Sequence, residues 1–131
     1  MKKTFSVALL SLAGIAARAD VIGDMLGRIL PEGDDAKRFE WKITEGGNDS
    51  FTISCDGSRV HVEGSNYGNV AVGINWYLQH YAGVDISWNS PKGRLPETLP
   101  ECSGETHASS VEWRYYLNFC THSYSMSFWD W

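Results

Sequence analysis

Hydrophobic and polar residues alternate along "RFEWKIT", with Phe39, Trp41 and Ile43 on one side and Glu40, Lys42 and Thr44 on the other. A two-residue period is that of a half-buried strand. "EGGNDS" interrupts the pattern as a turn, and "FTISC" resumes it with Phe51, Ile53 and Cys55. Asp56-Gly57 then supplies a tight hairpin, because glycine tolerates positive φ. "RVHVEG" returns with Val60 and Val62 inward and Arg59, His61 and Glu63 outward.

Two other stretches follow the 3.6-residue period. In "ADVIGDMLGRILPEGDD", Ile22, Met25, Leu26 and Ile29 share a face, Asp20 caps the start, and Pro31 and Gly33 end the helix. In "SNYGNVAVGINWYLQHYAG", Tyr67, Val70, Ala71, Ile74, Leu78 and Tyr81 line one face. Ser65 or Asn66 is the cap and Gly83 the stop. Gly68 and Gly73 weaken that helix, which marks them as points of close approach to the sheet. "VDISW" predicts a short strand. "NSPKGRLPETLPECSGETHASS", with three prolines, reads as a connector with room for one strand near Gly93–Leu95. The order helix, three strands, helix, strand predicts an α+β domain over residues 20–101: a small antiparallel sheet with helices on one face. Residues 102–112 then form the linker.

The first residues read differently. Lys2 and Lys3 precede an apolar run from Phe5 to Ala16, and Ala17-Arg18-Ala19 fits a cleavage site. Residues 1–19 are thus a secretory signal peptide of bacterial style, and the expected destination is periplasmic or extracellular. The run is short for a membrane span. Cleavage would remove Lys2, Lys3 and Arg18 and move the net charge from −5 to −8. Such a chain repels nucleic acid and anionic membranes; neutral substrates such as carbohydrates fit better.

Export permits disulfides. Cys55, Cys102 and Cys120 are odd in number, so at least one thiol is free or pairs outside this sequence. Cys102 with Cys120 is one pairing, and unpaired buried thiols are the plainer reading. His61, His80, His107 and His122 are scattered, without zinc-like spacing, and there is no phosphate-binding glycine motif. Asn48-Asp49-Ser50 matches a glycosylation sequon, of consequence only in a eukaryotic host. No active site is legible in residues 20–101.

The closing stretch alternates again. Tyr115, Leu117 and Phe119 share one face, and Tyr116, Asn118 and Cys120 the other. A parallel strand buried on both sides has this look, with its polar residues toward the C-terminal end, where (β/α)8 barrels bind substrate. "RYYLNFCTHSYSMSFWDW" resembles the start of the catalytic barrel of the alpha-N-acetylglucosaminidases, glycoside hydrolase family 89. The family pattern R-Y-Y-x-N-x-C-T-x-S-Y-S-x-x-W-W-D-W is matched at Arg114, Tyr115, Tyr116, Asn118, Cys120, Thr121, Ser123, Tyr124, Ser125, Trp129, Asp130 and Trp131. Phe128 departs from it, where Trp is usual. "NVAVGINWYLQHYAGVDISW" is similar to the family's N-terminal α+β domain, itself like that of the beta-hexosaminidases.

The resemblance implies a barrel that starts at residues 113–131 and is truncated, so that the chain reads as a fragment. It implies a retaining glycosidase acting on terminal alpha-linked N-acetylglucosamine, as in heparan sulfate or mucin-type glycans. Two glutamates would serve as acid/base and nucleophile, about 5–5.5 Å apart. Both belong to later barrel strands, so no catalytic residue is assigned in this sequence. No metal and no organic cofactor are implied. Asn118 and Cys120 match positions that line the sugar pocket. An amide suits hydroxyl recognition; Cys120 would be a small pocket wall, or equally a packing thiol. The alternative is a stand-alone carbohydrate-binding or structural accessory domain. Against a binding role, Phe39, Trp41, Ile43, Phe51 and Ile53 point inward rather than offering rings on an open sheet face.

Overall fold

The structure, a computed structural model, describes residues 20–44, 46–111 and 113. The expected signal peptide, the expected barrel strand, and Asn118 and Cys120 lie outside the described residues.

Helix α1 spans Val21–Ile29. Asp20 caps it, its Oδ1 accepting from Gly23 N at 2.9 Å. Ile22, Leu26 and Leu30 fall four residues apart and are fully buried. After a short 3-10 turn at Asp35–Arg38 come strands β1 (Phe39–Ile43), β2 (Ser50–Cys55) and β3 (Val60–Gly64), then helix α2 (Tyr67–His80). Asn66 caps α2 through Asn69 N at 2.9 Å. The β2–β3 hairpin turns on Asp56, whose Oδ1 accepts from Ser58 N, Ser58 Oγ and Arg59 N. Those bonds hold the Asp56 carboxyl well below the usual carboxylate range. Gly57 takes the positive φ, at 89°.

The sheet is mixed, which corrects the antiparallel expectation. Its order is β1-β3-β2-β4. β3 pairs antiparallel with β2 and parallel with β1, in register Phe39↔Val60 to Ile43↔Gly64. Alternation within a strand reports which face is buried, not which neighbour it takes. β3 and β2 hold the two interior places beneath α2, and Val60 and Val62 of β3 and Ile53 of β2 are fully buried there. The link from β1 to β2 therefore crosses over β3 instead of forming a hairpin.

The fourth strand is not "VDISW". Residues 84–88 form no strand; Val84 is buried, Trp88 is fully exposed, and Ser87 and Ser90 close a turn on each other. Val84 and Ile86 instead pack on Gly93, where a Cβ would meet Val84 Cγ1. β4 is Cys102–Ala108, inside the stretch that reads as a linker, and it pairs antiparallel with β2 along the sheet edge. The proline-rich segment before it is also fixed. Gly93 N donates to Ile29 O at 2.8 Å, Leu95 N to Asp35 Oδ2 at 2.8 Å, and Arg38 Nη1 to Pro96 O at 3.0 Å. Leu95 and Leu99 are buried. The Gly93–Leu95 region thus holds its place by loop hydrogen bonds, not as a strand.

One face of the sheet is covered by α2, and the core lies between them. Val70, Gly73, Ile74, Tyr77 and Leu78 face the strands, with Phe39, Phe51, Ile53, Cys55, Val60 and Val62 opposite. Tyr67, expected on that face, is 41% exposed, and Tyr77, not expected there, is fully buried. Its hydroxyl donates to Pro100 O at 2.8 Å, and burial pushes its phenol far above the ordinary range. It is a permanent donor that pins the proline-rich segment to α2.

Candidate functional site

The densest grouping of polar and aromatic side chains joins β4 to α2. β4 carries a bulge: Ile53 faces Glu105 and Cys55 faces Cys102, so two residues of β4 oppose one of β2. Gly104, at φ 78°, takes the left-handed conformation that such a bulge requires. Residues three apart on a regular strand face opposite ways. Here the extra residue turns Cys102 and Glu105 to the same side, toward α2, while Thr106 faces the open side and shares a 2.8 Å hydrogen bond with Thr52.

Glu105 is the centre of this cluster. Its Oε1 accepts from Trp76 Nε1 at 2.7 Å and its Oε2 from Tyr81 Oη at 3.0 Å. His107 Nε2 lies 3.2 Å from Oε1 without hydrogen-bond alignment, a contact that becomes an ion pair when the imidazole is protonated. Burial would raise the Glu105 carboxyl, but His107, Tyr81 and Trp76 outweigh it and hold it below its ordinary range. The same bond to Glu105 raises the Tyr81 phenol. Around this carboxylate the rings pack closely: His107 stacks on Phe51 at 5.0 Å between centroids, while Trp76 meets His107 at 4.3 Å and His80 at 4.1 Å in tilted contacts.

This arrangement holds a carboxylate ionised at neutral pH, with its acceptor positions turned to internal donors. It is built to fasten an edge strand to a helix rather than to deliver a proton. An open recess of about 360 Å³ adjoins it, lined by Phe51, Asn69, Val72 and His107 among others. No group of three metal-ligating side chains occurs among the described residues, and no described helix is long and apolar enough to cross a membrane.

Of the histidines that look scattered in sequence, the fold brings both His80 and His107 against Trp76. His61 stands apart on the open face, its Nδ1 3.2 Å from Glu40 Oε2. The readable signal for Glu105 and His107 is the alternation in "GETHA", once that stretch is taken as a strand. Asn118 and Cys120 are not among the described residues, so the pocket expected around them is not described.

Residues 20–101 match the family model of the alpha-N-acetylglucosaminidase (NAGLU) N-terminal domain. The chain is 35% identical over 136 aligned residues to the human alpha-N-acetylglucosaminidase, covering 95% of this chain and 18% of that protein. Its structure is similar to a family 89 glycoside hydrolase from Clostridium perfringens, solved in complex with 2-acetamido-1,2-dideoxynojirmycin. The TM-score is 0.66 at 36% identity, over 84% of this chain and 13% of the other. The same likeness holds for a doubly substituted form of that enzyme in complex with its substrate, GlcNAc-alpha-1,4-galactose. The chain thus spans less than a fifth of the relatives it matches. The α+β layer, the match across residues 20–101 and the likeness to solved family 89 enzymes together establish that this chain belongs to the alpha-N-acetylglucosaminidase N-terminal domain family.

Proposed function

We propose that the chain is the N-terminal portion of an exported retaining glycosidase that removes terminal alpha-linked N-acetylglucosamine from glycans. The α+β domain supports the catalytic barrel and does no chemistry of its own. The observation that carries this reading is similarity reaching 95% of the chain, which extends past the α+β domain into the "RYYLNFCTHSYSMSFWDW" stretch. The complex of the similar bacterial enzyme with GlcNAc-alpha-1,4-galactose supports a glycan ending in N-acetylglucosamine as substrate. Residues 113–131 begin the barrel on this reading, and Asn118 and Cys120 face its sugar pocket. The glutamate pair belongs to residues outside this sequence, and neither metal nor organic cofactor takes part. Residues 1–19 direct export.

The purified 131-residue chain should release no aglycone from a chromogenic alpha-N-acetylglucosaminide and bind no GlcNAc-alpha-1,4-galactose in calorimetry. Turnover above a mock preparation would contradict the missing glutamate pair. Sugar binding without turnover would favour a stand-alone carbohydrate-binding domain.

A further inference from the structure

We propose that Cys55 and Cys102 form a cross-strand disulfide that staples the edge strand β4 to β2. The two are direct partners in the antiparallel β2–β4 ladder. Directly opposed residues of such a ladder have Cα atoms about 4.5–5.5 Å apart, inside the span that a disulfide bridges. As ladder partners the two share one face of the sheet, where both are buried thiols in this structure. Tyr77 Oη approaches Cys55 Sγ at 3.5 Å from above, so the pair sits under the hydroxyl that also holds Pro100.

Reach is the second requirement. Cys55 and Cys102 line one surface recess together with Tyr81, Glu101 and Ser103. The pair therefore lies at the margin of the core, next to a surface recess, rather than at its centre. Burial and the neighbouring Cys55 sulfur push the Cys102 thiol up, which slows its ionisation but does not block exchange.

The chemistry is thiol–disulfide exchange with a small or protein disulfide as oxidant. One cysteine thiolate attacks a sulfur of that disulfide, its S–S bond breaks, and one thiolate leaves. The second cysteine then attacks the mixed disulfide, forming the Cys55–Cys102 bond and releasing the second thiolate. The two cysteine protons end on the two departing thiols, so two protein thiols are oxidised as one external disulfide is reduced. Cys120 is left as the unpaired thiol of the three.

The test does not depend on export. Purified full chain is equilibrated in a glutathione buffer rich in the disulfide form, quenched in acid, and alkylated before and after reduction. One alkylated thiol before reduction and three after is the expected count. The tryptic peptides spanning residues 43–59 and 95–114 should be joined until reduction, and the melting temperature should fall by at least about 5 °C when it is broken. Cys120→Ser should keep the linked peptides. Three reactive thiols in the disulfide-rich buffer, or a peptide linking Cys120 to either partner, would overturn the proposal. The same peptides from the exported and the cytoplasmic fractions of expressing cells separate failure of the bond from failure of export. Linked peptides in the glutathione buffer, with the cellular chain found only in the cytoplasmic fraction and unlinked, would count against export alone, whereas unlinked chain in the exported fraction would count against the disulfide.

Discussion

Gly73 of α2 stands directly over Val62 of β3: a Cβ on Gly73 would lie 2.8 Å from Val62 Cγ1 and 3.1 Å from Phe51 Cδ2. The absent side chain lets the helix settle onto the two central strands. Gly73→Ala should destabilise the domain by up to about 2 kcal/mol, because an overpacking cost of about 1–3 kcal/mol outweighs the roughly 1 kcal/mol that alanine adds to helix propensity. Gly27, on the exposed side of α1, has no atom within 4 Å of a built Cβ. Gly27→Ala should stabilise by up to about 1 kcal/mol. Urea melts of both variants check the contrast, and equal shifts in one direction would contradict the packing described.

Glu105 fastens β4 through Trp76 and Tyr81. Glu105→Gln should cost about 1 kcal/mol at pH 7, near the low end because the side chain is 37% exposed. The carboxyl is held below its ordinary value in the folded state. Its contribution is therefore complete above the unfolded glutamate range, near pH 4.5, and fades as pH falls through the lower folded value. The stability gap between wild type and Glu105→Gln should be constant from pH 7 to about pH 5 and close below that. A gap that widens in acid would reverse the sign of the argument.

Much of this was legible in the sequence, and the reasons for the rest are specific. Alternation places Phe51, Ile53, Cys55, Val60 and Val62 inward, and a glycine in mid-helix at position 73 signals a close approach. The parallel β1–β3 pairing was not legible, since side-chain period says nothing about neighbour order. β4 was hidden because "CSGETHA" is small and polar, as an edge strand with one solvated face can be. Its bulge at Gly104 also breaks the alternation that would have revealed it. "VDISW" has strand composition but packs as a loop on Gly93. Gly68 interrupts the helix as Gly73 does, yet a Cβ there would meet only the Asn66 cap.

Because β4 runs through Ala108, a chain ended after Glu101 loses the partner of β2 and the Glu105 cluster. Residues 20–111 should unfold in one cooperative thermal transition. Residues 20–101 should melt lower or without cooperativity, since Phe51 and Trp76 lose the ring of His107. Equal transitions from the two lengths would mean that β4 contributes no stability.

Asn118 tests the proposed pocket. In a complete enzyme bearing these residues, Asn118→Ala should lower kcat/KM by roughly one to two orders of magnitude, the loss of a sugar hydroxyl contact. Leu117→Ala, which the alternation predicts on the opposite face, should instead lower the melting temperature with kinetics kept. Normal kinetics with early melting in Asn118→Ala would assign that amide to packing.

The central claim is that residues 20–131 are the N-terminal portion of a family 89 glycosidase. The most direct measurement is a chimera in which they replace the matching segment of the similar Clostridium perfringens enzyme, assayed on a chromogenic alpha-N-acetylglucosaminide. The account predicts hydrolysis within roughly tenfold of the parent. A folded, soluble chimera with no turnover beside an active parent would contradict it.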